Sequence, residues 1–377
     1  MLNFILDVIM VCAIGCVLIY VLPALWSYLE SAETKQDRTI FALTDDGWRI
    51  ALHNYAPLGP KIGKPVILCH GIAGNRFIFD LNNAPSLADY LRSQNRDVWV
   101  PELRGSGCSG RPGLLLSNYP LNWSFDDHLN YDVEAIIRNV INETGADSVH
   151  WVGHSMGGML IEAYISRKKP SCVASAVALG SPTDFTRMKT NQFRHVLKMR
   201  AMLKIIPFNP LPLLIKCFLP IWRLAPGLLS MFACPENIEW WVVRKISAIG
   251  TESVSSSALS LDMARFLSDG KFADPSGRPY LEGIEESRTP LLAISGAKDI
   301  MAPQKAVVSV CETSADDCVR ESLILGKQAG LEQDYGHVDL LLGTRAREEV
   351  FPIIERWLAR WDCVISQECK GAPSRDS

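Results

Sequence analysis

Short, strongly apolar runs that alternate with amphipathic stretches predict an α/β fold, with a mostly parallel sheet covered by helices on both faces. The strand runs are Pro65-Val66-Ile67-Leu68-Cys69, Asp97 to Glu102, Ser148-Val149-His150-Trp151-Val152, Ala174 to Leu179, Pro290 to Ile294 and Ser322 to Leu325. Between them, Leu87 to Leu91, Asp126 to Thr144 and Met159 to Tyr164 read as helices. In the second of these, Leu129, Val133, Ile136, Ile137 and Val140 recur at helical spacing. A last helix carries Val350, Ile353, Ile354, Trp357, Leu358 and Trp361. Ahead of this body, Phe41-Ala42-Leu43, a turn at Asp45-Asp46-Gly47 and Trp48 to His53 have the shape of a β-hairpin.

With 377 residues, 48% of them hydrophobic, the chain can bury one large core carrying an insertion, or two smaller ones. The rhythm breaks once, between Asp184 and Arg288, where Phe208, Leu211, Leu214, Phe218, Ile221 and Trp222 are hard to place on a sheet already covered. We read 185–288 as an inserted helical cap; the plainer alternative is additional core. The α/β body then comprises 38–184 and 289–363, and 364–377 is a polar tail expected to be disordered.

Val8 to Leu29 contains no charged side chain. At about 1.5 Å per residue it is long enough for the roughly 30 Å hydrocarbon layer, and 1–30 is expected to be a single-pass membrane anchor. The run is too long for a signal-peptide core, and no Lys or Arg precedes it. Lys35, Arg38 and Arg49 follow it, which leans the body to the cytoplasmic side. The triplets Asn122-Trp123-Ser124 and Asn142-Glu143-Thr144 fit glycosylation and point the other way, but such triplets arise easily by chance.

A net charge of −3 without a Lys/Arg block argues against nucleic acid as a partner. The eleven cysteines show no Cys-x-x-Cys pair, so reduced thiols are expected, with Cys311/Cys318 and Cys363/Cys369 as local pairs in an oxidising compartment. Histidines and cysteines do not cluster at ligand spacing, so neither a metal nor another cofactor is expected.

Gly153-His154-Ser155-Met156-Gly157 closes one apolar run and opens a helix. Two glycines around a serine allow a sharp strand-to-helix turn that lifts the hydroxyl above the sheet. A serine hydroxyl is a poor nucleophile without a base, and the base needs an orienting carboxylate. Asp299, in Ser295-Gly296-Ala297-Lys298-Asp299, and His337, in Asp334-Tyr335-Gly336-His337-Val338-Asp339, both follow strands, in the chain order Ser, Asp, His. Asp184 is the rival acid, and Asp299 could instead cap the helix from Ala302. Asp339 reads as support for the histidine loop, and His154 as packing beneath the turn. The oxyanion donors are expected to be the N–H of Met156 and that of Ile72, in the loop His70-Gly71-Ile72-Ala73-Gly74-Asn75.

On these residues the chain resembles the α/β-hydrolases of lipase/esterase type, and is similar to acid-lipase-like and bacterial lipase-like hydrolases. Leu68-Cys69-His70-Gly71, Glu102-Leu103-Arg104-Gly105-Ser106-Gly107, Trp123-Ser124-Phe125-Asp126-Asp127, Tyr131-Asp132-Val133, Thr144-Gly145, Gly153 to Gly157, Asp299 and Gly336-His337 carry the resemblance. It covers roughly Leu43 to Gly343, apart from the inserted stretch. It implies Ser155 as nucleophile, Asp299 as acid and His337 as base. Acid lipases usually have glutamine where this chain has Met156, and are secreted with a cleaved signal. The expectation is a membrane-anchored serine hydrolase acting on carboxylic esters of lipid-like substrates through an acyl-enzyme. The alternatives are an acyltransferase or thioesterase on the same three residues, and a non-catalytic lipid-binding protein on the same fold.

Overall fold

The computed structural model describes residues 22–30, 34–111, 119–188, 208–209, 226–251, 255–312 and 319–362. Helix α1 is Leu22–Leu29, and the chain then enters the hairpin β1 (Arg38–Leu43) and β2 (Arg49–Tyr55). The body follows as β3 (Val66–Cys69), α2 (Leu87–Ser93), β4 (Val98–Glu102), α3 (Val133–Thr144), β5 (Val149–His154), α4 (Met156–Lys168) and β6 (Val173–Leu179). The inserted stretch contributes α5 (Trp240–Ile249) and α6 (Ser257–Asp269). The chain closes with β7 (Leu291–Gly296), β8 (Arg320–Leu325) and α7 (Phe351–Trp361).

The strands form one sheet in the order β1-β2-β4-β3-β5-β6-β7-β8. Every pairing from β4 to β8 is parallel, and β2 is antiparallel to both β1 and β4. Residues on successive positions of a strand face opposite layers. On one face Ile67, Trp99, Trp151 and Ala178 pack with Ile136 and Val140 of α3, Leu160 of α4 and Phe266 of α6. On the other, Leu68, Val100, Val152 and Ile294 pack with Leu87 and Leu91 of α2, Val242 of α5 and Ile354 of α7. Two apolar layers explain why these strands read as continuous hydrophobic runs.

Local signals set the helix ends. Ser124 caps its turn by accepting from Asp127 N–H, while Asp127 accepts from Ser124 N–H, two orphan donors satisfied reciprocally. The helix expected from Asp126 to Thr144 is interrupted: Phe125–Asp127 is one α turn, His128–Asp132 is a π turn, and α3 follows, ending at left-handed Gly145. A single-residue shift of the hydrophobic pattern is too small a signal to reveal such a widened turn.

Of the inserted stretch, α6 and the segment beyond it join the core. Phe125, Phe185, Phe266, Phe272 and Tyr280 form one aromatic cluster with centroid spacings of 4.8–6.1 Å. Most of its first half, and the tail at 364–377, lie outside the described residues. So does most of the expected membrane segment. Its last two turns form α1, with Leu25, Tyr28 and Leu29 exposed. No helix among the described residues is long and apolar enough to cross a membrane.

A buried clamp joins the chain's end to its middle. Arg96, fully buried before β4, donates to Glu355 (2.8 Å) and Asp362 (2.8 Å). Asp362 also accepts from the Lys64 N–H (2.9 Å) and faces His150 Nε2 on β5 (3.0 Å).

Glu162 is the opposite case. It lies fully buried on α4, and neither carboxylate oxygen has a hydrogen-bond partner among the described residues. Burial pushes its carboxyl well above the ordinary value of 4.5, so the folded chain holds a proton that the unfolded chain releases. Stability is therefore lost as pH rises from 4.5 toward the folded value. Replacing Glu162 by Met removes the unpaired group. It should stabilise the protein by about 1–3 kcal/mol, with a larger gain at alkaline pH than at acid pH. Denaturant titration of both proteins at the two extremes measures it.

Candidate active site

Ser155 stands between the end of β5 and the start of α4 with φ 56° and ψ −121°, a conformation that side chains rarely adopt. Its N–H is held by the Leu179 carbonyl of β6 (2.8 Å), and Trp151 Nε1 donates to the Gly157 carbonyl (3.0 Å). The glycines of the motif are sterically required. A Cβ on Gly153 would run into the Gly157 carbonyl, and one on Gly157 into the Cys69 carbonyl. Strand end, helix start and the loop after β3 thus meet without side chains between them.

That loop lies against the serine. A Cβ built on Gly71 would sit 2.8 Å from Ser155 Cβ and 3.3 Å from its Oγ. His70 fixes the loop: Nε2 accepts from the Leu103 N–H (3.1 Å), which leaves the proton on Nδ1 to donate to the Gly71 carbonyl (2.8 Å). The Ile72 N–H donates to no acceptor among the described residues. Met156 is the first residue of α4, where a backbone N–H has no acceptor within the helix.

His337 and Asp299 meet on the same rim. His337 Nδ1 lies 2.9 Å from Asp299 Oδ2, with the Asp299 side chain fully buried and that of His337 7% exposed. The other oxygen of Asp299 accepts from the Ala302 N–H (2.7 Å), so the residue both caps that turn and faces the imidazole. Asp184 is occupied elsewhere, accepting from the Thr186 N–H (3.1 Å) and pairing with Arg187 (2.8 Å). His154 joins the elbow to the histidine loop: its ring lies 4.7 Å from that of His337, and its Nε2 donates to the His337 carbonyl (3.1 Å). Burial, and the neighbouring His337, push His154 down to about 3, which keeps it neutral. Ser155 Oγ makes no hydrogen bond to His337 among the described residues. Such contacts often tighten only when substrate binds.

Two supports were not visible in the sequence. Gly180, after β6, has φ +57°, and a Cβ there would lie 3.1 Å from His337 Nδ1 and 3.2 Å from Asp299 Oδ2. Asn237, fully buried in the inserted stretch, donates to Asp339 (3.1 Å). Asp339 also accepts from the N–H groups of Gly336 (2.9 Å) and Cys234 (3.1 Å). Burial raises its carboxyl to about 6, against the pull of these donors. The Val338 N–H, in turn, donates to the Phe232 carbonyl (2.8 Å), so residues 232–237 brace the histidine loop.

A small, open depression adjoins the loop after β3, lined among others by His70, Gly71, Leu103, Trp123, His128 and Met156. Away from it, His53, Glu102 and Cys108 bring ligand-type atoms within 4.8 Å of one another. Arg76 already occupies that carboxylate (2.9 Å) and lies 3.6 Å from the Cys108 sulfur, so a cation would have to displace a guanidinium.

A family model described as alpha/beta hydrolase fold matches residues 64–204, which include Ser155 and the loop at Gly71. A lipase of Caenorhabditis elegans is 30% identical over 134 residues, 33% of this chain and 33% of that protein. Human lysosomal acid lipase/cholesteryl ester hydrolase is 32% identical over 125 residues, 30% of this chain and 31% of that protein. The matched part is about a third of the length of these curated relatives. Among solved structures, an esterase of Thermogutta terrifontis superposes with a TM-score of 0.55 at 18% identity, covering 86% of this chain and 99% of that one. The chain has the α/β-hydrolase fold and is similar to lipases and esterases.

Asp339→Ala strands the donors of Gly336, Cys234 and Asn237. It should cost about 1–3 kcal/mol and accelerate amide exchange at Gly336, read by thermal unfolding and hydrogen-exchange mass spectrometry.

Proposed function

We propose that this protein is a membrane-anchored serine hydrolase that cleaves carboxylic esters of lipid-like substrates. The observation that carries the reading is the 2.9 Å contact between His337 Nδ1 and Asp299, beside an elbow that presents Ser155. An ionised carboxylate only accepts, so it fixes the proton on Nδ1 and leaves Nε2 as the base. Ser155 Oγ attacks the ester carbonyl while His337 Nε2 takes its proton. The N–H groups of Ile72 and Met156 receive the negative oxygen, each worth roughly 2.7–4 kcal/mol of barrier. His337 then gives its proton to the departing alcohol. Water, activated by the same nitrogen, releases the acyl group and restores the serine. No metal or cofactor enters these steps.

The lipid-like substrate is supported by the similarity to lipases and by the apolar side chains of the inserted stretch. The anchor is supported by the uncharged run Val8 to Leu29 and by the exposed apolar side chains of α1.

Ser155→Ala should lower turnover of a short p-nitrophenyl ester by about 10⁴–10⁶-fold and abolish labelling by a fluorophosphonate probe. Retention of either would remove Ser155 from the role of nucleophile. Removal of residues 1–21 should move the protein from a carbonate-resistant membrane pellet to the supernatant. An unchanged distribution would argue against an anchor there.

A further inference from the structure

His128 lines the cavity beside the oxyanion loop and is backed by a buried carboxylate, Asp132. His128 Nδ1 lies 2.8 Å from Asp132 Oδ2, with both side chains at most 2% exposed. Asp132 also accepts from Arg104 Nε (2.8 Å) and Nη2 (2.6 Å). Burial alone would raise its carboxyl, but the His128 hydrogen bond and the Arg104 charge hold it below the ordinary range. The carboxylate therefore only accepts, and the His128 proton sits on Nδ1. With that proton on Nδ1, the other ring nitrogen, Nε2, has no hydrogen-bond partner among the described residues.

The backbone points to the same place independently. A π turn spans His128–Asp132, and single π turns inside helices are frequent at functional sites. The cavity shares Gly71 and Met156 with the surroundings of Ser155, so it adjoins the elbow.

The remaining wall selects the ligand chemistry. Leu103, Trp123 and Leu259 offer apolar surface. Both ring nitrogens of His70 are engaged, with Gly71 and Leu103. Arg104 also lines the cavity, but its guanidinium is spent on Asp132 and on Asp46 (2.7 Å), so an anionic head group finds no free cation there. Among the described residues nothing donates to His128 Nε2, although Ser106 also lines the cavity. A neutral hydroxyl supplies a donor, whereas an ether or a second ester does not.

Resting on the hydrolase reading above, we infer that this cavity is a subsite for a free hydroxyl next to the scissile ester, with His128 as the residue that binds it. The substrate class is then a partially acylated polyol, such as a monoacylglycerol, in preference to a fully acylated one.

The test compares kcat/KM of the full-length enzyme on a monoacylglycerol and on the methyl ester of the same fatty acid, in the same mixed micelles. The parent should favour the monoacylglycerol by about 10- to 100-fold, the worth of one or two good hydrogen bonds. In His128→Asn, which retains a donor toward Asp132 and removes Nε2, the ratio should fall to within about threefold of unity, chiefly through KM. His128→Gln, whose amide reaches the Nε2 position, should recover part of it. A parent ratio near unity overturns the assignment whatever the variants do, and so does a large ratio that His128→Asn leaves unmoved. A parent enzyme active on neither ester, and unlabelled by a fluorophosphonate, overturns the hydrolase reading and this one with it.

Discussion

Backbone touching backbone at the elbow is the constraint on which the rest of the structure depends. Gly153 and Gly157 let the end of β5, the first turn of α4 and the loop after β3 approach closer than any side chain would permit. The left-handed conformation of Ser155 follows from that convergence, and it is held by the Leu179 carbonyl and the Trp151 indole. Strain at one residue persists here because its neighbours over-determine it. The same convergence brings Gly71 against the serine and directs the first N–H of α4 to the same spot.

Among the described residues every histidine has a backing group, a carboxylate or a backbone carbonyl. His53, His128, His150 and His337 each face a carboxylate, Glu102, Asp132, Asp362 and Asp299 respectively. His70 and His154 lean on backbone carbonyls instead. A backing group fixes which ring nitrogen bears the proton, so every one of these imidazoles presents a defined face. Of the four that face a carboxylate, His337 is the one whose loop His154 ties to the elbow.

Much of this was legible in the sequence. The apolar runs became strands because both sheet faces are covered, and the hairpin turn at Asp46-Gly47 formed where its residues allow. Ser155, Asp299 and His337 stood out because chemistry demands particular residue types after particular strands. What stayed hidden depends on distant chain segments meeting. Gly180 matters only because two side chains from later strands pack on it, and Asn237 only because it finds Asp339. The π turn shows in the sequence only as a one-residue shift of the hydrophobic spacing, too small a signal to read by itself. The inserted stretch reads as a single unit by composition, yet its aromatic half belongs to the central layers.

The clamp on Arg96 bears on how the molecule comes into being. A guanidinium with no solvent exposure waits for Glu355 and Asp362, both supplied by the final helix and the residue after it. During synthesis the first six strands leave the ribosome before that cation has its carboxylates and before His150 Nε2 has Asp362, while His150 Nδ1 already has Ser175 on β6 (2.8 Å). The nascent protein therefore cannot reach its finished state strand by strand. Burying Arg96 waits until α7 has been made, and until then the strands made earlier lack this clamp and are open to aggregation.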